Sequence, residues 1–139
     1  MANIVYNIAK QAISTAELDL SSEPLYLMLV SGYSPSIDND HYVSAISSYE
    51  TSGSGYSRQQ LQDTLLFKDI VNNRMTLSAD DVTWDLATFA ADGAVIYVNS
   101  GSDASNMLVT YLDFGTVKSS NNTPFKITWS TAEGILNIR

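Results

Sequence analysis

The stretch VTWDL, residues 82–86, sets Val82, Trp84 and Leu86 on one side of an extended chain and Thr83 and Asp85 on the other. Alternation with period two marks a strand with one face buried and one face wet. The pattern returns in FKITW (125–129), where Phe125, Ile127 and Trp129 oppose Lys126 and Thr128. RMTL (74–77), AVIYV (94–98), MLVTYLDF (107–114) and ILNIR (135–139) read as further strands. The turn-forming clusters ADG, NSGSDASN, SSNNTP and AEG separate them. LYLMLV (25–30) is apolar at every position, which predicts a strand buried on both faces. Short strands punctuated by Gly, Asn and Ser predict a mainly β fold: an antiparallel β-sandwich, or a barrel-like relative of it.

Two segments depart from this pattern. Ile4, Val5, Ile8, Ala9, Ala12 and Ile13 recur at helical spacing, which predicts an amphipathic helix over about 3–15 with Asn3 as N-cap. Residues 31–62 are rich in Ser, Gly and Tyr and have no clean strand period. They predict a long flap that either packs on the body or forms a contact surface. Within it, HYVSAISS reads as a short helix with Val43 and Ile46 inward, and TSGSGYSRQQ as an exposed loop. The whole chain, 1–139, is expected to be one domain: the helix, the strand 25–30, the flap, and a main β body over about 64–139.

The absence of cysteine excludes disulfides, thiolate nucleophiles and cysteine-ligated zinc. Seven Lys and Arg stand against fifteen Asp and Glu, a net charge of −8, and no two cations are adjacent. Nucleic acid demands clustered cations, so it is not an expected partner. No run approaches the length of a membrane span, and the first twenty residues lack a signal-peptide core. Synthesis in a cytoplasm is the corresponding expectation.

SIDNDHY (36–42) is the stretch closest to chemistry, with Asp38 and Asp40 beside His41, the only histidine. Counted from Asp38, a calcium loop fails at its fifth, sixth and twelfth positions, which are Tyr42, Val43 and Tyr49. Capping of the short helix by Asp38 or Asp40 is the favoured reading. Asp80 and Asp81 are adjacent, so on an extended chain they point apart, and a turn is favoured over acid–base work. GSG (53–55) lacks the third glycine of a phosphate loop, no serine sits in a GxSxG setting, and NNT (121–123) matches the glycosylation sequon without a secretion signal. The expectation is a non-enzyme with no metal and no cofactor. Tyr33, Tyr42, Tyr49 and Tyr56 recur through the flap and form the candidate contact surface, for a protein or for sugar rings; the alternative is that each staples the flap to the core.

Taken in order, NIVYNIAKQAISTAELDLSSEPLYLMLV, SIDNDHYVSAIS, GSGYS, LSADDVTWDLATFAADGAVIYVNSG, LVTYLDFG and FKITWSTAEGIL resemble a family of small structural proteins of tailed bacteriophages. The resemblance covers nearly the whole chain and rests on the order and spacing of short structural motifs. The chain departs from the family's glycine-richer pattern at SRQQLQDT (57–64). What the resemblance implies is a virion component, taken as a capsid decoration (cement) protein on the outer shell surface. Its partner would be the major capsid protein, and shell symmetry would favour a dimer or trimer. A tail or head–tail structural protein is the alternative, and a glycan-binding module using the tyrosine-rich flap is the second.

Overall fold

The computed structural model describes residues 3–130 and 133–138. It is mainly β, antiparallel in every strand pair, with one α-helix. A five-stranded sheet is built from β1 (Ile4–Val5), β2 (Leu25–Val30), β3 (Gln59–Gln60), β6 (Val82–Val98) and β7 (Leu108–Ile127) in the order β1-β7-β6-β2-β3. A three-stranded sheet holds β4 (Leu65–Asp69), β5 (Arg74–Ser78) and β8 (Leu136–Ile138) in the order β4-β5-β8. Neither sheet closes into a barrel.

β2 lies between two apolar clusters, which is why every position of LYLMLV is apolar. Leu25, Leu27 and Leu29 join one cluster with Ala94, Ile96 and Val98 of β6, and Met28 and Val30 join the other with Val95 and Tyr97. Each such fully buried side chain stabilises the fold by about 1.5–3 kcal/mol relative to exposure. The first cluster continues through Trp84, Phe125 and Ile127 to Leu77, Ile135 and Leu136, so it also joins the small sheet to the large one. The second is covered by Tyr33, Val43 and Ile46, which come from the flap.

The helix is shorter than its apolar spacing predicts. α1 spans Asn7–Ser14, with Tyr6 at the N-cap and Thr15 at the C-cap. Ile4 and Val5 instead form β1 against Tyr111 and Thr110. Both are β-branched, and pairing with β7 satisfies a backbone that a free helix end would leave bare. Asn3 is therefore not the cap. The small Ala9 and Ala12 are the buried helical residues, which lets α1 lie close to the sheet.

Two predicted turns are strand. ADG lies inside β6 and SSNNTP inside β7, because these two strands form one long ribbon. The irregularities expected of turns appear as register shifts. Between Trp84 and Ala87 β6 advances three residues while β7 advances two, so the alternation read from VTWDL breaks there. Val82 and Trp84 are buried, the inward series resumes at Ala87 and Phe89, and Leu86 is 63% exposed. Opposite Ala91–Gly93, β7 bulges between Lys118 and Asp113. Gly93 allows the Tyr111 ring to approach the backbone closely, since a Cβ there would sit 2.6 Å from Tyr111 Cε2. The predicted AEG turn lies partly outside the described residues; Gly134 within it has φ +62.

Candidate functional site

The flap packs against the body rather than standing away from it. Ser31 N and Thr51 N bond to Tyr49 O and Leu29 O, both at 2.9 Å, which ties the middle of the flap to the end of β2. HYVSAISS forms two successive 3-10 turns, 43–45 and 47–49, with Val43 and Ile46 fully buried as expected.

SIDNDHY is a joint, and its acids do not cap these turns: neither turn has a side-chain cap. Asp40 Oδ2 accepts from Ser36 N at 2.8 Å and from the Tyr33 hydroxyl at 2.6 Å. Asp38 accepts from the Asn7 amide at the start of α1. His41 Nε2 donates to Asp38 O at 2.8 Å. On the far side, Leu108 N bonds to His41 O and Val43 N to Asn106 O. The stretch thus stitches α1 to the loop between β6 and β7. Among the described residues, no group of three or more His, Cys, Asp or Glu is placed to hold a metal.

The four flap tyrosines divide into two pairs. Tyr33 is buried, its hydroxyl shared with Tyr6 at 2.8 Å and Asp40, and its ring set edge-on to Tyr111. Burial pushes both the Tyr6 and Tyr33 hydroxyls far above the ordinary phenol range, and for Tyr33 the bond to Asp40 adds to the effect. Tyr56 lies against Trp84 and Phe89, donates a hydrogen bond to Glu50 at 2.7 Å and accepts one from Leu29 N. These two staple the flap to the body. Tyr42 and Tyr49 are 39% and 42% exposed and remain available to one.

The strongest polar constellation centres on Arg58, in a segment expected to be an exposed loop. Arg58 Nε and Nη2 donate to the two Glu50 oxygens at 2.8 and 2.9 Å, and Nη1 and Nη2 to the two Asp103 oxygens at 2.7 and 3.1 Å. Its guanidinium lies 5.5 Å from the centre of the Tyr97 ring. The Arg58 bond holds the Asp103 carboxyl below its usual range. With its donors turned to two carboxylates, this arginine closes the flap over the sheet and does not offer a cation to an anionic ligand. Asp92 Oδ1 is buried without a hydrogen-bond partner among the described residues, while its Oδ2 accepts from Gly32 N at 3.0 Å.

GSG (53–55) has a structural task. A Cβ on Gly53 would lie 2.5 Å from Thr88 O, and one on Gly55 would overlap Leu86 O, so the glycines let the flap backbone rest on β6 at its bulge. Asp80 and Asp81 diverge as expected. Asp81 faces Lys126 at 3.4 Å, and the Asp80 pKa is raised by a hydrogen bond shared with the Asp63 carboxyl and, after it, by repulsion between the two groups.

Two surfaces escape the sequence reading. An open groove of about 800 Å³ runs beside β7, lined by Leu112, Phe114, Phe125, Ile127 and Trp129; its charged lining residues are Lys118, Lys126 and Glu133. The hairpin β4–β5 carries Leu65, Phe67, Ile70 and Val71 on its exterior, with Ile70 and Val71 at its tip 81% and 85% exposed. The signal for the hairpin was Asn72–Asn73 between LLF and RMTL: Asn73 takes the left-handed conformation (φ +52) that asparagine tolerates. No described helix is long and apolar enough to cross a membrane. Comparison with protein-family models, curated proteins and solved structures returned no match for this chain.

Proposed function

We propose that this chain is a non-enzymatic structural protein of a tailed-phage virion: a decoration protein that binds the outer surface of the assembled shell and stabilises it. The reading starts from the ordered resemblance of its motifs to such proteins. The observation that carries it on the structural side is the apolar tip Ile70–Val71, exposed at the end of the β4–β5 hairpin on an otherwise acidic body. Exposed apolar side chains set in a polar surface are characteristic of docking sites. A protein that binds the assembled shell but not its free subunits stabilises the shell by mass action. On this reading the major capsid protein is the partner, and the two sheets act as the layers of a sandwich, supported by the apolar cluster they share. The acidic balance fits an outward position better than contact with packaged DNA.

The test is reconstitution. Shells lacking the chain should gain heat resistance when it is added back, and V71D should abolish both binding and the gain. Shells equally resistant with and without the chain would overturn the reading. A copy number of a few per particle would move the protein to the tail or head–tail junction. The exposed Tyr42 and Tyr49 favour a second reading as a glycan contact. Loss of glycan-array binding in a Y42S/Y49S variant would support it, and an array without hits would remove it.

A further inference from the structure

β4 is the outer strand of the three-stranded sheet, and no described residue pairs with its free side. The other free edges are short, covered or interrupted. β1 and β3 have two residues each and β8 three, the part of β6 that β2 does not pair is met by the flap at Ser54 and Gln59, and β7 beyond its pairing with β1 carries Gly115 and Asn122 in left-handed conformations and Pro124. Such features keep an edge from accepting another strand. β4 has none of them: its register against β5 is unbroken over five pairs, and it contains neither glycine nor proline. Leu65 and Phe67 stand exposed on one face, and Leu66 is half-buried on the other, against the first apolar cluster.

We propose that two copies of the chain pair through β4, antiparallel about a two-fold axis at Leu66, and so join their small sheets into one of six strands. The segment Leu65–Phe67 is self-complementary in this register. Leu65 lies opposite Phe67 of the partner subunit, twice, and Leu66 opposite Leu66 of the partner subunit. An axis at Phe67 would set Leu65 against an aspartate and Leu66 against a lysine, and an axis at Lys68 would oppose like charges.

Charge selects the same place. Copies with a net charge of −8 repel over most of their surface. The hairpin 65–78 holds Lys68 and Arg74 against Asp69 alone, so repulsion is least there. The pairing leaves Ile70 and Val71 at the tip free, and it does not depend on the shell-binding reading.

Sedimentation velocity across a wide concentration range should show a monomer–dimer equilibrium. F67K should weaken it by at least about tenfold, and V71D should leave it unchanged. The native chain has no cysteine, so register can be read directly. Oxidising a mixture of L65C and F67C chains should give mainly the 65–67 heterodisulfide, because directly opposite positions bring Cβ atoms within bridging range. A monomer at every concentration, a dimer indifferent to F67K, or a predominance of homodisulfides would each overturn the proposal.

Discussion

Arg58 grips both oxygens of Glu50, through Nε at 2.8 Å and Nη2 at 2.9 Å, and with the same guanidinium reaches Asp103 on the loop between β6 and β7. The flap, whose regular structure is two 3-10 turns and the short β3, is thereby fastened at the end opposite the Tyr33 staple. R58M keeps the length of the stem and removes the fork. It leaves Glu50 and Asp103 facing each other uncompensated, at partly exposed positions. The expected loss is about 1–3 kcal/mol, between an exposed and a buried pair. Urea denaturation measures it, and unchanged stability would mean that solvent replaces the clasp.

The same clasp predicts a pH dependence. The folded-state pKa of Asp103 is depressed, chiefly by Arg58, so its contribution is complete above the ordinary aspartate value of about 3.9 and fades as pH falls through the folded value. D103N should flatten the acid limb of the stability curve below about pH 4. Asp80 has the opposite sign. Asp63 raises its folded pKa, so the folded state binds the proton more tightly, and stability is lost as pH rises through that value. D63N should therefore raise the melting temperature at neutral pH and have little effect in acid. A gain that persists at pH 3 would refute the repulsion.

Tyr33 is the shared partner of Tyr6 and Asp40. Y33F keeps the ring against Tyr111 and removes the oxygen, which leaves the fully buried Tyr6 hydroxyl without its bond to Tyr33. An orphaned buried hydroxyl costs about 1–3 kcal/mol. Y6F/Y33F removes both hydroxyls and should recover part of that loss. A double variant no more stable than Y33F would show that the bond between them carries little.

How much of this was legible in the sequence depends on whether the deciding contacts are local. The strand LYLMLV and its double burial could be read because six consecutive apolar residues leave an extended chain no wet face. The break after Trp84 could not, because a bulge is a relation between two strands and Leu86 looks inward by alternation alone. The same holds for α1, whose first two expected residues were taken by pairing with β7, more than one hundred positions away. Of the candidate surface, the tyrosines were found by composition, but only tertiary packing separates Tyr33 and Tyr56 from Tyr42 and Tyr49. Arg58 left no local trace, since its carboxylates come from positions eight and forty-five residues away.

Leu86 and Ala87 turn the bulge into a measurement. Strict alternation would place Leu86 in the core and Ala87 in solvent, whereas Leu86 is exposed and Ala87 fully buried. L86S should change stability by less than about 0.5 kcal/mol, the usual range for surface positions. A87L forces a large side chain into a filled site and should cost about 1–3 kcal/mol. The reverse order of effects would restore the unbroken strand.

Gly55 and Gly101 separate strain from contact. Both have positive φ, +84 and +102, so alanine at either should cost about 1 kcal/mol from the backbone alone. Around Gly101 an added Cβ meets nothing within 4 Å, while at Gly55 it would overlap the Leu86 carbonyl where the flap crosses β6. That neighbour is backbone, held in a paired ribbon, and cannot rotate away as a side chain could. G55A should therefore lose several times more stability than G101A, and it should also weaken the buried Trp84 Nε1 bond to Ser57 O, two residues along the flap. Tryptophan fluorescence of the folded variant reads the second effect and urea denaturation the first. Equal losses in the two variants would mean that the flap does not rest on the bulge.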